Sequence, residues 1–395
     1  MGDYLHILII TNEPFPNGGA ATNRFKGYAQ ELVKLGSEVS VIIWSSSGLM
    51  IEGNSSSGSY EGIKYEYSFT HVSHNKVIRR FYKLIQIVTG TIHTNGFLRR
   101  HDIDCVLLVS NDPMMMIMGY MLSKLHNVKY IQEKSEYPFV LMKARNALQR
   151  IYATMYCKYL YRIFDGMIIM TKTLCDYFST VCSKDAVLFH MPMTVDLSRF
   201  TSSRQAKNKW ITYCGSFGGT KDGVDHLLMA YSIVAKEYPG WKLVLVGKAS
   251  QPEEARLKKL VSLNGLSDKV KWTGHLDYSE VPKILSESSI LVLSRPDSIQ
   301  AQYGFPSKLG EYLATANPVV VTDVGEIKDY LENGVSAMIA KPGNIAELAD
   351  KIQFLINDPD QANEIGLRGR EIAEKCFDIK VQAGRLAEYL EGLIG

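Results

Sequence analysis

Across its 395 residues the chain lacks an excess of either charge, paired cysteines, the common cofactor fingerprints and long apolar runs. With 44 basic against 41 acidic residues the net charge is only +3, which excludes a nucleic-acid binder driven by bulk charge. The six cysteines, Cys105, Cys157, Cys175, Cys182, Cys214 and Cys376, form no C-x-x-C pair and have no histidine partners at zinc spacing. Several lie inside apolar segments, so reduced, buried thiols and a cytoplasmic setting are expected. No strand is followed by G-x-G-x-x-G, which counts against a dinucleotide oxidoreductase, and the P-loop spacing is absent too. Met114 to Leu122 is strongly apolar but far too short to span a bilayer, and Tyr4 to Ile10 reads as a strand rather than a signal peptide.

What is present is an apolar content of 46%, ample for the cores of two or three domains. The first half repeats a short Ile/Val/Leu run, a polar loop and an amphipathic stretch, the pattern of buried parallel strands alternating with helices. Strands are predicted at Leu5–Ile10, Val39–Trp44, Cys105–Ser110, Lys129–Gln132 and Gly166–Met170, and helices around Asn23–Leu35, Met114–Leu125 and Ala144–Ile163. Glu52 to Tyr60 is Gly/Ser-rich and reads as a mobile loop before an extra strand at Gly62–Phe69. A second series begins at Trp210–Cys214 and continues through Lys242–Val246, Val270–Trp272, Ile290–Leu293, Val319–Thr322 and Ala337–Ala340. The expected class is α/β, with two Rossmann-like doubly wound domains facing each other across a cleft. Residues 1–195 form the first, residues 205–372 the second, and residues 373–395 a helix that packs back on the first, with Pro192 to Lys209 as linker.

Loops at the carboxyl ends of the strands carry the chemistry. Gly304-Phe305-Pro306-Ser307-Lys308 is a tight turn opening a helix, so its first N–H groups suit an anion, and Glu311 one turn further suits the hydroxyls of a ribose. Gly18 and Gly19 follow the first strand and let backbone approach a phosphate or sugar. Gly215-Ser216-Phe217-Gly218-Gly219-Thr220-Lys221 does the same in the second domain, and Lys221 offers a positive charge to a departing diphosphate. Arg295 can fork onto phosphate, while Asp297, Gln300 and Gln302 can bond sugar hydroxyls. In the first domain Glu133, Glu136 and Tyr137 end a strand, and one of the carboxylates could polarise an acceptor hydroxyl. Asp102-Ile103-Asp104 resembles a metal-diphosphate pair but leads into a strand, at the wrong end of a sheet, so it reads as a surface strand start and no metal is expected. Arg79 to Ile85 and Arg150 to Arg162 mix basic and aromatic residues at helical spacing, which suits either an anionic membrane surface or ordinary core stripes flanked by solvated charge.

Together these residues resemble glycosyltransferase family 4, retaining nucleotide-sugar transferases with the GT-B fold. The resemblance runs from the Gly18-Gly19 loop through Gly215 to Gly223 and Gly304 to Ala314, then Pro318 to Glu326, Asn333-Gly334 and Pro342-Gly343-Asn344. It implies that Glu311 binds the donor ribose, that Ser307 and Lys308 give backbone N–H groups to the diphosphate, that Gly274, His275 and Leu276 flank the base, and that Lys221 is the phosphate-binding lysine. Tyr303 stands where the family carries a sugar-binding glutamate, so sugar contacts pass to Gln302, Asp297 or Gln300. Ser216 replaces a phosphate-binding arginine, a role Arg295 can assume, and Gln132-Glu133 lies near a catalytic-site histidine of the family. The implied activity is sugar transfer from a nucleoside diphosphate sugar to a glycan or lipid-linked glycan in polysaccharide biosynthesis. It needs neither cofactor nor metal, and the enzyme would work in the cytoplasm with peripheral contact to the membrane. An epimerase of the same fold and a non-catalytic sugar-nucleotide-binding subunit are the alternatives.

Overall fold

The computed structural model describes residues 5–138, 144–200, 208–217 and 222–395. The chain divides into two compact units, Met1–Pro192 with Ile379–Gly395 and Met193–Asp378. The first runs β1 (His6–Thr11), α1 (Ala20–Lys34), β2 (Glu38–Ile43), β3 (Ser57–Tyr60), β4 (Ile63–Tyr67), α2 (Lys76–Leu98), β5 (Cys105–Val109), α3 (Pro113–His126), β6 (Lys129–Lys134), α4 (Ala147–Met155), β7 (Gly166–Ile169), α5 (Lys172–Val181) and β8 (Val187–His190). The second runs β9 (Asn208–Cys214), α6 (Val224–Glu237), β10 (Lys242–Val246), α7 (Gln251–Leu263), β11 (Val270–Gly274), α8 (Val281–Ser286), β12 (Ser288–Leu293), α9 (Ile299–Tyr303), α10 (Lys308–Ala314), β13 (Val319–Thr322), α11 (Ile327–Tyr330), β14 (Met338–Ala340), α12 (Ile345–Asn357) and α13 (Pro359–Ile372), after which α14 (Ile379–Ile394) returns to the first.

Among the described residues the first unit has one eight-stranded sheet, ordered β3-β4-β2-β1-β5-β6-β7-β8, parallel except at β3. Its central strands read as unbroken apolar runs because both faces are covered. Ile7 and Ile9 of β1 join Val39, Val41, Leu107 and Ile168 in a core closed by Phe25, Tyr28 and Leu32 of α1 and by Ile379, Leu386 and Leu390 of α14. Leu8 and Ile10, equally buried, point to the opposite face. Helix α14 is fixed at the sheet edge by Tyr389, which stacks on Phe189 at 4.8 Å between centroids and donates to the Val187 carbonyl at 2.9 Å. Helix α3 starts where it does because Asp112 caps the N–H groups of Met114 and Met115 and Pro113 takes the first turn.

Two expectations change. The stretch Glu52 to Tyr60, read as a mobile loop, ends in β3, an antiparallel partner of β4 joined to it by Glu61-Gly62. The single helix expected over Ala144–Ile163 stops at Met155 and widens into a π turn (Tyr156–Leu160) and a 3-10 turn (Tyr161–Ile163), with Tyr156, Cys157 and Tyr161 buried.

The second unit holds a six-stranded parallel sheet, ordered β11-β10-β9-β12-β13-β14 among the described residues. Strands β9 and β12 are its centre, so the residues leaving them, Gly215 to Phe217 and Ser294 to Ser298, lie at the carboxyl end where the order reverses. Among the described residues no helix is long and apolar enough to cross a membrane.

Candidate functional site

In the second unit the opening turn and helix α10 are held by a polar network at the end of β9. Tyr312 is fully buried, and its hydroxyl accepts from the Cys214 N–H at 2.6 Å, tying the helix to the strand. One turn earlier the Lys308 ammonium donates to the Tyr213 hydroxyl at 2.9 Å and pairs with Asp222 at 3.2 Å. Tyr213 in turn donates to the Ser216 carbonyl at 2.8 Å. Gly215 permits this crossing, because a Cβ there would collide with the Lys308 stem. Gly223 has a left-handed backbone (φ +64°), and its carbonyl accepts from Ser294 at 2.7 Å, which joins the β9 and β12 loops. Burial pushes the Lys308 pKa down, against the pull of Asp222, and nearby Arg295 pushes the same way. Arg295 is itself buried, and its carbonyl accepts from Thr322.

Glu311 lies next to this network. Its Oε1 accepts from Arg199 Nη1 at 3.1 Å, with 21% and 15% of the two side chains exposed. Burial raises the Glu311 pKa, and the Arg199 guanidinium, then Lys308, oppose the rise. The Arg199 guanidinium carbon also lies over Tyr278, 3.4 Å from its ring centre, and Arg199 donates to the Tyr278 carbonyl. Sequence reasoning left Arg199 in a linker, where its only signal was an isolated basic residue amid polar ones.

The other residues of this half fall into place unevenly. Ser307 caps α10 without a side-chain hydrogen bond, and the Pro306 carbonyl accepts from Leu309 N–H at 3.0 Å. Phe305 is buried against Tyr330 and Phe377, so its ring belongs to the core. Gln302 donates to Asp297 at 2.7 Å and accepts from the Gly325 N–H at 3.3 Å. Gln300 holds the Gly304 N–H through its backbone carbonyl, and Tyr303 ends α9 half-buried. The Gly274 carbonyl accepts from Gly247 N–H, with His275 exposed and Leu276 half-buried beyond it. Gly218, Gly219, Thr220 and Lys221 lie outside the described residues.

In the first unit Gly18 is packed so that a Cβ would strike Thr22, whose hydroxyl donates to the Pro14 carbonyl, whereas Gly19 faces open space. Glu133 corrects the reading of an accessible carboxylate. Strand β6 continues past Gln132 to Lys134 and pairs Glu133 with Ile168 of β7, so the residue lies inside the sheet. There its Oε1 accepts from Arg24 Nε at 2.7 Å, with only 4% and 7% of the two side chains exposed. Arg24 also donates to the carbonyls of Met191 and Pro192 at 2.8 and 2.9 Å. Burial and the Glu133 charge raise the pKa of neighbouring Glu13. Arg24 was detectable as the one charge on the buried face of α1, beside Phe25, Tyr28 and Leu32.

Lys134, also missed, is buried beside Asn111, to which it donates, and over the rings of Tyr161 and Phe178 at 5.3 and 5.7 Å. Burial pulls its pKa down to about 8. Glu136 and Tyr137 follow half-buried, with the Tyr137 ring 4.9 Å from that of Tyr177. Asp104 accepts from the His6 N–H at 2.7 Å, which occupies it at the start of β1. Among the described residues no three His, Cys, Asp or Glu side chains converge as a metal site.

Residues 195–372 match the family described as Glycosyl transferases group 1. An alpha-D-kanosaminyltransferase of Streptomyces kanamyceticus is 23% identical over 177 residues, 45% of this chain and 44% of that protein. A GDP-mannose-dependent alpha-(1-6)-phosphatidylinositol monomannoside mannosyltransferase of Mycobacterium tuberculosis is 24% identical over 54% of this chain and 58% of its own length. The chain thus spans about half the length of the curated relatives it matches. Among solved structures, sucrose-phosphate synthase from Thermosynechococcus elongatus superposes with a TM-score of 0.78 at 16% identity, covering 98% of this chain and 99% of that one. Anabaena HepE in complex with UDP-glucose gives 0.72 at 15% identity, covering 98% and 100%. The fold is that of GT-B glycosyltransferases, with two Rossmann-like units of parallel sheet.

Proposed function

From the premise that residues 195–372 are a group 1 glycosyl transferase domain, we propose that this chain moves a sugar from a nucleoside diphosphate sugar to a hydroxyl acceptor, with retention and without a metal. The observation that carries the reading is the gathering of Arg199, Glu311, Lys308 and Arg295 where β9 and β12 end and α10 begins. Arg199 favours the ionised form of Glu311, and that carboxylate accepts the ribose hydroxyls. Lys308, Arg295 and the sequence-assigned Lys221 supply positive charge for the diphosphate as it leaves. The bond from the anomeric carbon to phosphate oxygen breaks on the face where the acceptor oxygen bonds, and the leaving phosphate oxygen takes the acceptor proton. No protein base is required, which accords with the commitment of Glu133 to Arg24. The name of the mycobacterial relative, which acts on a phosphatidylinositol monomannoside, supports a glycosidic acceptor, and a glycan or lipid-linked glycan is the class proposed here.

The test incubates the full chain with a panel of nucleoside diphosphate sugars and a chelator, and follows diphosphate release and the anomeric configuration of the product by NMR. Release in chelator is expected, and Lys221→Ala is expected to lower it by orders of magnitude in a folded protein. Near-normal release in that variant, or strict dependence on a divalent ion, would overturn the assignment. Epimerised donor formed without acceptor would point instead to the isomerase chemistry of the same fold.

A further inference from the structure

Helix α2 carries an apolar stripe with nothing over it. Val77, Phe81, Leu84, Val88 and Ile92 recur at three- and four-residue spacing on one face, with Val77, Phe81 and Leu84 exposed to 74%, 63% and 69%. An exposed side chain of this kind is ordinary singly, but five in register along one helix mark a contact surface. Beside the stripe, Lys76, Arg79, Arg80 and Lys83 crowd the first two turns. Among the described residues none of the four side chains forms a hydrogen bond or an ion pair. The sequence contains no acidic residue between Glu66 and Asp102, so nothing local on this segment neutralises them.

The same cations line a cavity of about 430 Å³ between α2 and the loop after β2, where Lys76, Arg79 and Lys83 face the hydroxyl-bearing residues Ser45, Ser46 and Ser47. The Ser46 hydroxyl is oriented by donating to the His71 carbonyl at 2.7 Å while accepting from Gln86 at 3.0 Å. Cationic nitrogens and hydroxyls around a cavity open to solvent recognise a phosphate group, and the adjacent apolar stripe recognises hydrocarbon.

We propose that the α2 face of the first unit docks on an anionic phospholipid bilayer, with the stripe from Val77 to Ile92 at the acyl boundary and a phosphate headgroup in the Lys76/Arg79/Lys83 cavity. Charge selects this occupant over a second copy of the chain, because a two-fold pairing through α2 would offer its four cations no acidic partner anywhere along the facing helix. It also selects it over a neutral bilayer, since each basic side chain near an anionic surface contributes about fivefold to partitioning. Helices α3 and α4 repeat the pattern in part. Met121 and Leu125 of α3 are exposed, as are Leu148, Ile151 and Met155 of α4, beside Arg150.

Flotation of the full chain with vesicles of phosphatidylcholine, alone or mixed with phosphatidylglycerol, tests this without reference to glycosyl transfer. Binding to the mixed vesicles and not to the neutral ones is expected, weakening as salt rises. The triple variant Lys76→Glu, Arg79→Glu, Lys83→Glu is expected to lose at least about 100-fold in partitioning, three contributions of about fivefold each. Leu84→Asp keeps every cation and is expected to lose binding as well. The altered side chains are exposed, so circular dichroism should match the native protein, and that is measured alongside. Equal binding to neutral vesicles, native-like binding by the triple variant, or a dimer dispersed by Leu84→Asp without any vesicle binding would each overturn the proposal.

Discussion

Replacing Arg199 by methionine removes the charge that faces Glu311 while keeping an apolar stem over the Tyr278 ring. At 3.1 Å and an effective dielectric constant near 20 the bare attraction is about 5 kcal/mol. Both side chains keep some contact with water, and the net value of a hydrogen bond between charged groups is about 1.5–3 kcal/mol. Losing that opposition raises the Glu311 pKa further. The sign follows from the carboxylate's role. Burial already holds the Glu311 pKa above its ordinary value, so nucleotide affinity is full above that pKa and is lost as pH falls through it. In Arg199→Met the same loss should begin at higher pH, with affinity returning toward native at alkaline pH. In Glu311→Gln the acid limb should vanish and affinity should be low throughout. Thermal shift with a panel of nucleoside diphosphates, read across pH, measures all three proteins, because stabilisation tracks affinity. An acid limb that stays in place in Arg199→Met, or an affinity lost equally at every pH, would refute the coupling.

Two further predictions concern the first unit. Arg24→Met strands a nearly buried carboxylate, and hydrogen exchange of the β6 and β7 amides should show their opening free energy reduced by about 3–5 kcal/mol, with a smaller loss in Arg24→Met/Glu133→Gln; equal losses would argue against the pair. Lys134 is the reverse case, since its folded pKa of about 8 lies below the ordinary 10.5. Its burial therefore costs about 3 kcal/mol below pH 8, and the cost disappears as pH rises toward 10.5. The stability of Lys134→Met relative to native should be greatest near neutrality and decline across that window, and a pH-independent difference would contradict the burial argument.

Much of the architecture follows from local pattern. Strands such as Lys242–Val246 and Val319–Thr322 are apolar on both faces and bounded by turn residues, so their place in a covered parallel sheet needs no partner to be named. The opening turn before α10 likewise declares itself through Gly304, Pro306 and Ser307. Strand β3 escaped because Ser and Gly have little strand preference of their own, and pairing with β4 supplies what propensity does not. The limits of β6 were equally invisible, since Glu133 and Lys134 look like the polar start of a loop and are drawn into the sheet by β7.

What the sequence determined by itself was therefore periodicity and turn chemistry: two α/β units, and the Gly/Pro turn that opens α10. What only the tertiary structure decided was the pairing of charges. Arg24 with Glu133 are 109 residues apart and Arg199 with Glu311 are 112 apart, and no local rule couples positions so distant. A carboxylate's chemistry depends on the dielectric and counter-charge around it, and these exist only once the chain has folded. The same residue type is thus an occupied structural anion at Glu133 and a partly buried acceptor held by one arginine at Glu311.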